Sequence, residues 1–149
     1  MSRRPRPVGS RNRGRQPELE FCVPGEPVSA RTHDRSRLVA WRERIQGAAA
    51  ANWPRGRKPI NVAVELRITH YGERRVIDLD NMIKPIQDAL EGIVYLNDRQ
   101  VQEVTGSWRN IDGRYPLRFI SPLVAAAFSQ GREFVHIRVF LARDDEELN

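Results

Sequence analysis

Two aspartates separated by one residue, Asp78 and Asp80, open the helix-like stretch in "VIDLDNMIKPIQDAL", and Lys84 and Asp88 follow at four-residue steps. Lys84 stands out because the chain writes its positive charge as arginine, and Lys58 is its only other lysine. Asp80, Lys84 and Asp88 share one face of a helix, with Asp78 on the turn leading into it. Part of this needs no chemistry: an aspartate at a helix N-terminus is a cap, and an Asp–Lys–Asp ladder is an ordinary salt-bridged face. Asp78 is not explained that way. Its charge beside that of Asp80 costs stability unless a cation lies between them. Magnesium suits such a place, since it takes one or two carboxylates, keeps several waters and borrows phosphate oxygens from substrate. A third acid, Asp98 in "YLNDRQ", follows an apolar run, although an Asn-Asp pair also marks a plain turn.

The elements that must position these groups follow from periodicity. "LEFCVPG" predicts a short strand closed by Pro24 and Gly25, with Cys22 as a buried strand thiol. After the polar loop "EPVSARTHDRS", apolar residues at Leu38, Trp41, Ile45, Ala48 and Ala49 predict a helix from about Ser36 that is over by Pro54. "INVAVELRITH" alternates and predicts a half-buried strand with Ile60, Val62, Val64, Leu66 and Ile68 on one side. The second helix is expected over roughly 81–91, with Asp80 or Asn81 as its cap, Ile83, Ile86 and Leu90 as its buried stripe with Met82 and Ala89 beside them, and Gly92 as its stop. Pro85, near the first turn, removes few backbone bonds. "QVQEVTGSW" and "REFVHIRVFLAR" predict two more strands. Between them, "SPLVAAAFSQG" has the Ser, Pro and Gly of a short capped helix. The order β-α-β-α-β-(α)-β predicts an α/β (α+β) fold, one small mixed sheet packed with two main helices.

The 149 residues fit one domain with a core of its own. A single cysteine excludes an internal disulfide, and no apolar run approaches the ~20 residues that span a bilayer, so a cytoplasmic protein is expected. The net charge of +6 is concentrated at one end, where "MSRRPRPVGSRNRGRQ" holds six arginines and no acid. That segment, 1–16, is expected to be a disordered basic tail, either solubilising or an arm that displaces counterions from nucleic acid. Residues 17–143 form the domain, and 144–149, opening "DDEEL", form an acidic tail. Arg31, Arg35 and Arg37 stand before or within the first turn of the first helix, where they can meet phosphates or simply face solvent. Arg74 and Arg75 lie just before the acids and favour DNA contact, bringing a backbone over the site. His33, His70 and His136 show no ligand spacing. Trp41, Trp53 and Trp108 suit core or interface better than base stacking.

The stretch "DLDNMIKPIQDALEGIVYLNDRQV" resembles the signature of the RusA family of Holliday junction resolvases, endonucleases of bacteria and their phages. The pattern is Asp-x-Asp-Asn, a lysine four residues after the second Asp, Asp-Ala-Leu, then Asp-Asp-x-Gln. "FCVPGEPVSA" is similar to the family's opening strand and loop, and the likeness runs over most of residues 19–109. It implies a nuclease domain in which Asp78, Asp80 and Asp98 are catalytic and hold magnesium, with manganese as a substitute, and Lys84 is the catalytic cation beside them. Asn97 stands where the family has the first Asp of its doublet, keeping an oxygen but losing a charge. The resemblance further implies branched DNA, four-way junctions above all, as substrate, a role in recombination and repair, and a homodimer. The rival is a catalytically silent DNA-binding module whose acids serve only as caps.

Overall fold

The computed structural model describes residues 15–113 and 120–143, and these form one mixed sheet with helices on both faces. Strand β1 is Leu19–Pro24, helix α1 Arg35–Asn52, β2 Val64–Gly72, α2 Leu79–Leu90, β3 Val101–Asn110, α3 Pro122–Ser129 and β4 Phe134–Leu141. A 3-10 turn, Asp98–Gln100, leads directly into β3. The sheet order is β1-β4-β2-β3, with β4 antiparallel to both neighbours and β2 parallel to β3. Parallel strands need a crossover, and α2 supplies it. The acid-bearing helix is therefore the link between two adjacent strands, which ties both its ends to the sheet. The α+β class and the order of elements agree with the sequence expectation.

The first helix buries Leu38, Trp41, Ile45 and Ala49 at helical spacing, and Asp34 caps it by accepting from the Arg37 N–H. They pack with Leu19, Phe21 and Val23 of β1, Val64, Leu66 and Ile68 of β2, and Val135, Ile137 and Val139 of β4. Two expectations shift here. The second strand begins at Val64, not Ile60, and Val62 is exposed. The carbonyls of Ile60 and Val62 accept from the Gln100 side chain, so this stretch bonds to a side chain and not to a strand along its length. Helix α2 starts two residues earlier than predicted, and it buries Ile86 and Leu90 with Met82 and Ala89 beside them as expected, but also Pro85, while Ile83 is only partly covered.

Ile83 instead leans over β3. A Cβ built on Gly106 would lie 2.8 Å from Ile83 Cδ1, 3.2 Å from its Cγ1 and 3.5 Å from Leu79 Cβ. Glycine lets the first turn of α2 settle on the edge strand at the level of the acids. Gly106→Val should therefore lift that turn and cost about 1–3 kcal/mol, the usual penalty for overpacking, read from urea unfolding, with cleavage falling further than stability predicts.

The other sheet face carries Glu65, Arg67 and Tyr71 of β2 and Phe134, His136, Arg138 and Phe140 of β4. Helix α3, capped as expected by Ser121, covers part of it. Its Phe128 meets Tyr71 and Phe134 edge-on at 5.1 and 5.4 Å, while Tyr71 and Phe134 stack at 4.8 Å. Trp41 is core. Cys22 is a partly covered strand thiol that burial, with Glu20 adding, pushes up to about 12, which rules it out as a nucleophile.

Residues 1–14 and 144–149, which hold most of the two expected tails, lie outside the described residues. Arg15, at the end of the expected basic tail, bonds Glu65 at 2.6 Å and the Leu141 carbonyl, so this residue contacts the sheet.

Both buried histidines titrate below the ordinary value. Burial dominates for each; Glu26 opposes it at His70, and a hydrogen bond to Glu20 opposes it at His136. The 3.7 Å approach of His70 to Glu133 is thus no ion pair, since burial and the nearby Glu26 and Glu73 also push the Glu133 carboxyl up. A histidine whose folded pKa is depressed contributes stability above its unfolded pKa and loses it as pH falls. The melting temperature should hold steady above about pH 6.5 and drop below it. Glu133 has the opposite sign and softens the drop. A flat profile from about pH 7.5 to 5.5 would contradict the neutral-histidine assignment.

Candidate active site

The acids stand where α2 begins. Asp78 occupies the N-cap position, in place of the expected Asp80 or Asn81, yet its side chain makes no capping hydrogen bond. Only its backbone carbonyl serves the helix, accepting from the N–H groups of Asn81 and Met82. Asp80 lies in the first turn and is exposed. Neither carboxylate has a hydrogen bond or ion pair with another side chain among the described residues. Two like charges at one helix start are eased by the positive end of the helix dipole, but no described side chain engages their oxygens. A cap would have used them.

One to two turns on, Lys84 Nζ lies 3.0 Å from Asp88 Oδ1 and 3.8 Å from Asp98 Oδ2. The hydrogen bond that Lys84 donates to Asp88 chiefly raises the lysine pKa, and the charges of Asp88, Asp98 and Glu91 add to it, so Lys84 is cationic at any physiological pH. Asp88 also reaches Arg42 of α1 at 3.6 Å, which makes it a link between the helices as well as the partner of Lys84.

Asp98 is held by its turn. Asn97 Oδ1 accepts from the Arg99 N–H at 2.8 Å, and Gln100 Oε1 accepts from the N–H groups of Leu96 and Asn97 at 2.9 Å each, a capping box closed from both sides. Gln100 Nε2 donates to the carbonyls of Ile60 and Val62 at 2.7 and 2.9 Å. Tyr95, fully buried, donates its hydroxyl to the Gln87 carbonyl at 2.5 Å and ties the same loop to α2. Asn97 therefore works as a cap, a task Asn performs as well as Asp. Its departure from the family pattern leaves the backbone of the site intact. Gln100 and Tyr95 were not singled out from sequence. The Gln of the signature was visible there, but its partners lie forty residues away.

The arginines divide. Arg31 and Arg37 line a cavity of about 300 Å3 together with Val76 and Ile77, the two residues before Asp78. A backbone bond fixes the Arg31 loop beside the acids: the Ala30 N–H donates to the Asn81 carbonyl at 2.9 Å. That carbonyl is free because its helical partner four residues on is Pro85, which has no N–H. The proline that looked tolerable in sequence thus gives the neighbouring loop its anchor. Arg35, Arg74 and Arg75 are exposed and share no described contact with the acids.

The structure brings Lys84 to Asp98 and Asp88, and sets Asp78 and Asp80 together at the helix mouth. It does not close Asp78, Asp80 and Asp98 into one cluster: among the described residues no three His, Cys, Asp or Glu form a group that could hold a metal. The donor set nonetheless has the right chemistry for a hard cation, exposed carboxylate oxygens of which two pairs are unengaged.

Comparison with known families places the chain among DNA-cleaving hydrolases. The chain belongs to the RusA endodeoxyribonuclease family, whose model matches residues 7–116, well over half its length. No curated protein matches it.

Proposed function

We propose that the protein is a magnesium-dependent, structure-selective endonuclease that resolves four-way DNA junctions by paired cuts during recombination and repair. One observation carries this reading: Asp78 sits at a helix cap without capping, leaving its carboxylate and that of Asp80 free on a helix whose next turn aims Lys84 at Asp98. A catalytically silent module would have no use for an uncapped, unpaired pair of acids. Asp78, Asp80 and Asp98 would hold magnesium, or manganese in its place. Bound there, the ion supplies a water of lowered pKa and charge neutralisation at the phosphate. Lys84 contributes a compact cation that can meet a phosphate oxygen or the leaving group, its carboxylate partners keeping it protonated and aimed. Arg31 and Arg37 are placed to take the backbone next to the cleaved bond, with Arg35, Arg74 and Arg75 extending the basic border.

A four-way junction is resolved only when two strands of matching polarity are cut, which one compact site does by rebinding and a two-fold dimer does in a single encounter. We read the protein as such a homodimer. None of its described helices is long and apolar enough to cross a membrane, which fits action on DNA in the bacterial cytoplasm.

A labelled four-way junction should be cut with magnesium and bound but left intact without it. On a supercoiled cruciform plasmid, linear product should appear with little nicked circle, and sedimentation should give twice the chain mass. Magnesium-independent cutting would end the metal assignment, and nicked circles accumulating ahead of linear product would end the paired-site reading.

A further inference from the structure

On the sheet face away from α2, Arg67 of β2 and Arg138 of β4 stand directly opposite each other in the antiparallel register. Like charges in that relation destabilise a sheet. Arg15 joins them, and all three guanidiniums crowd one ring: their carbons lie 4.9 Å (Arg15), 4.8 Å (Arg67) and 5.8 Å (Arg138) from the Phe140 centroid. With Pro17, Glu20 and Ser121 they line a cavity of about 170 Å3. Buried Glu65 accepts from Arg15 at 2.6 Å and from Arg67 at 2.8 Å, which uses it up. Glu20 faces His136 at 2.6 Å. Arg138 has no such partner: its Nε is buried and makes no hydrogen bond among the described residues. Burial first, then the charge of Arg67, disfavour its cationic form, and the charges of Glu20, Tyr71 and Glu65 offset them only in part.

A buried N–H donor without an acceptor is destabilising, and a charged one beside a like charge is more so. Three guanidiniums against the carboxylates of Glu65 and Glu20 leave one positive charge over among the described residues. We propose that this cavity is a binding site for a single phosphate-type oxyanion, distinct from the catalytic acids, with Arg138 and Arg67 as its principal donors. Guanidinium suits that ligand because its N–H groups match two phosphate oxygens at once. The space holds an oxyanion and waters around it. Two sources share the chemistry, a backbone phosphate of a DNA arm passing the far side of the sheet, or free phosphate. The site does not depend on the nuclease reading, since binding involves no cleavage.

The full chain, labelled for arginine side-chain NMR, is titrated with inorganic phosphate at constant ionic strength and without magnesium. The Arg138 Nε–H signal should shift saturably, and the melting temperature should rise with the logarithm of phosphate concentration. Arg138→Gln should melt close to the parent, because the repulsion goes with the charge, and should lose most of the phosphate-dependent rise. A duplex added in place of phosphate identifies the source: movement of the same signal assigns the backbone, and phosphate acting alone assigns the free anion. An Arg138 signal indifferent to both, or an undiminished rise in Arg138→Gln, overturns the site.

Discussion

Asp80→Asn should reduce junction cleavage on the order of 10²–10³-fold, the scale set by loss of one transition-state-stabilising group, while junction binding and melting temperature stay near those of the parent. The expectation rests on what Asp80 does not do. It is exposed in the first turn of α2 and holds no partner among the described residues, so its charge contributes little to stability beyond the helix dipole. Neutralising it also relieves repulsion from Asp78. Surface changes of this kind usually fall within ~0.5 kcal/mol. Arg31 and Arg37, which border the site, are untouched, and affinity should persist. Single-turnover cleavage, a gel shift without magnesium and a thermal melt measure the three quantities separately. Full cleavage by the variant would remove Asp80 from the site. A melt lowered by many degrees would make it a structural residue after all.

Gln100→Ala should damage the site strongly although Gln100 is neither one of the acids nor Lys84. Its side chain accepts from two N–H groups of the Asp98 turn and donates to two carbonyls of the segment before β2. At about 1 kcal/mol net for each bond, discounted for the exposed ones, the loss should be about 2–3 kcal/mol in urea unfolding. Cleavage should fall further than unfolding explains, since Asp98, two residues away, loses the turn that sets it 3.8 Å from Lys84. Gln100→Glu keeps the acceptor oxygen but turns a carboxylate on the Ile60 and Val62 carbonyls, and should not rescue. The informative readout is cleavage rate well below the melting temperature, compared with junction affinity. A variant that unfolds more easily yet cuts normally when folded would leave Gln100 as mere scaffold.

Much of this protein is legible in one dimension. The α1 stripe at Leu38, Trp41, Ile45 and Ala49 is a local pattern, because helical period and burial coincide over a few turns. The same holds for the Ser121 cap, the alternation from Val64 to Ile68, and the spacing that sets Asp80, Lys84 and Asp88 on one face. The family signature is likewise a string of neighbours, and it was enough to identify a nuclease of the RusA kind. What sequence could not settle depends on partners distant along the chain. Whether Asp78 or Asp80 caps α2 is decided by where the helix docks, and Gly106 sets that by letting Ile83 and Leu79 approach β3. The loop of Ala30 finds the carbonyl that Pro85 leaves open fifty residues later. Gln100 reaches back to Ile60. The opposition of Arg67 and Arg138 exists only once the last strand inserts between the first two. Local propensity fixes which residues can cap, bury or carry charge; hydrogen-bond and charge satisfaction across the fold decides which of them do.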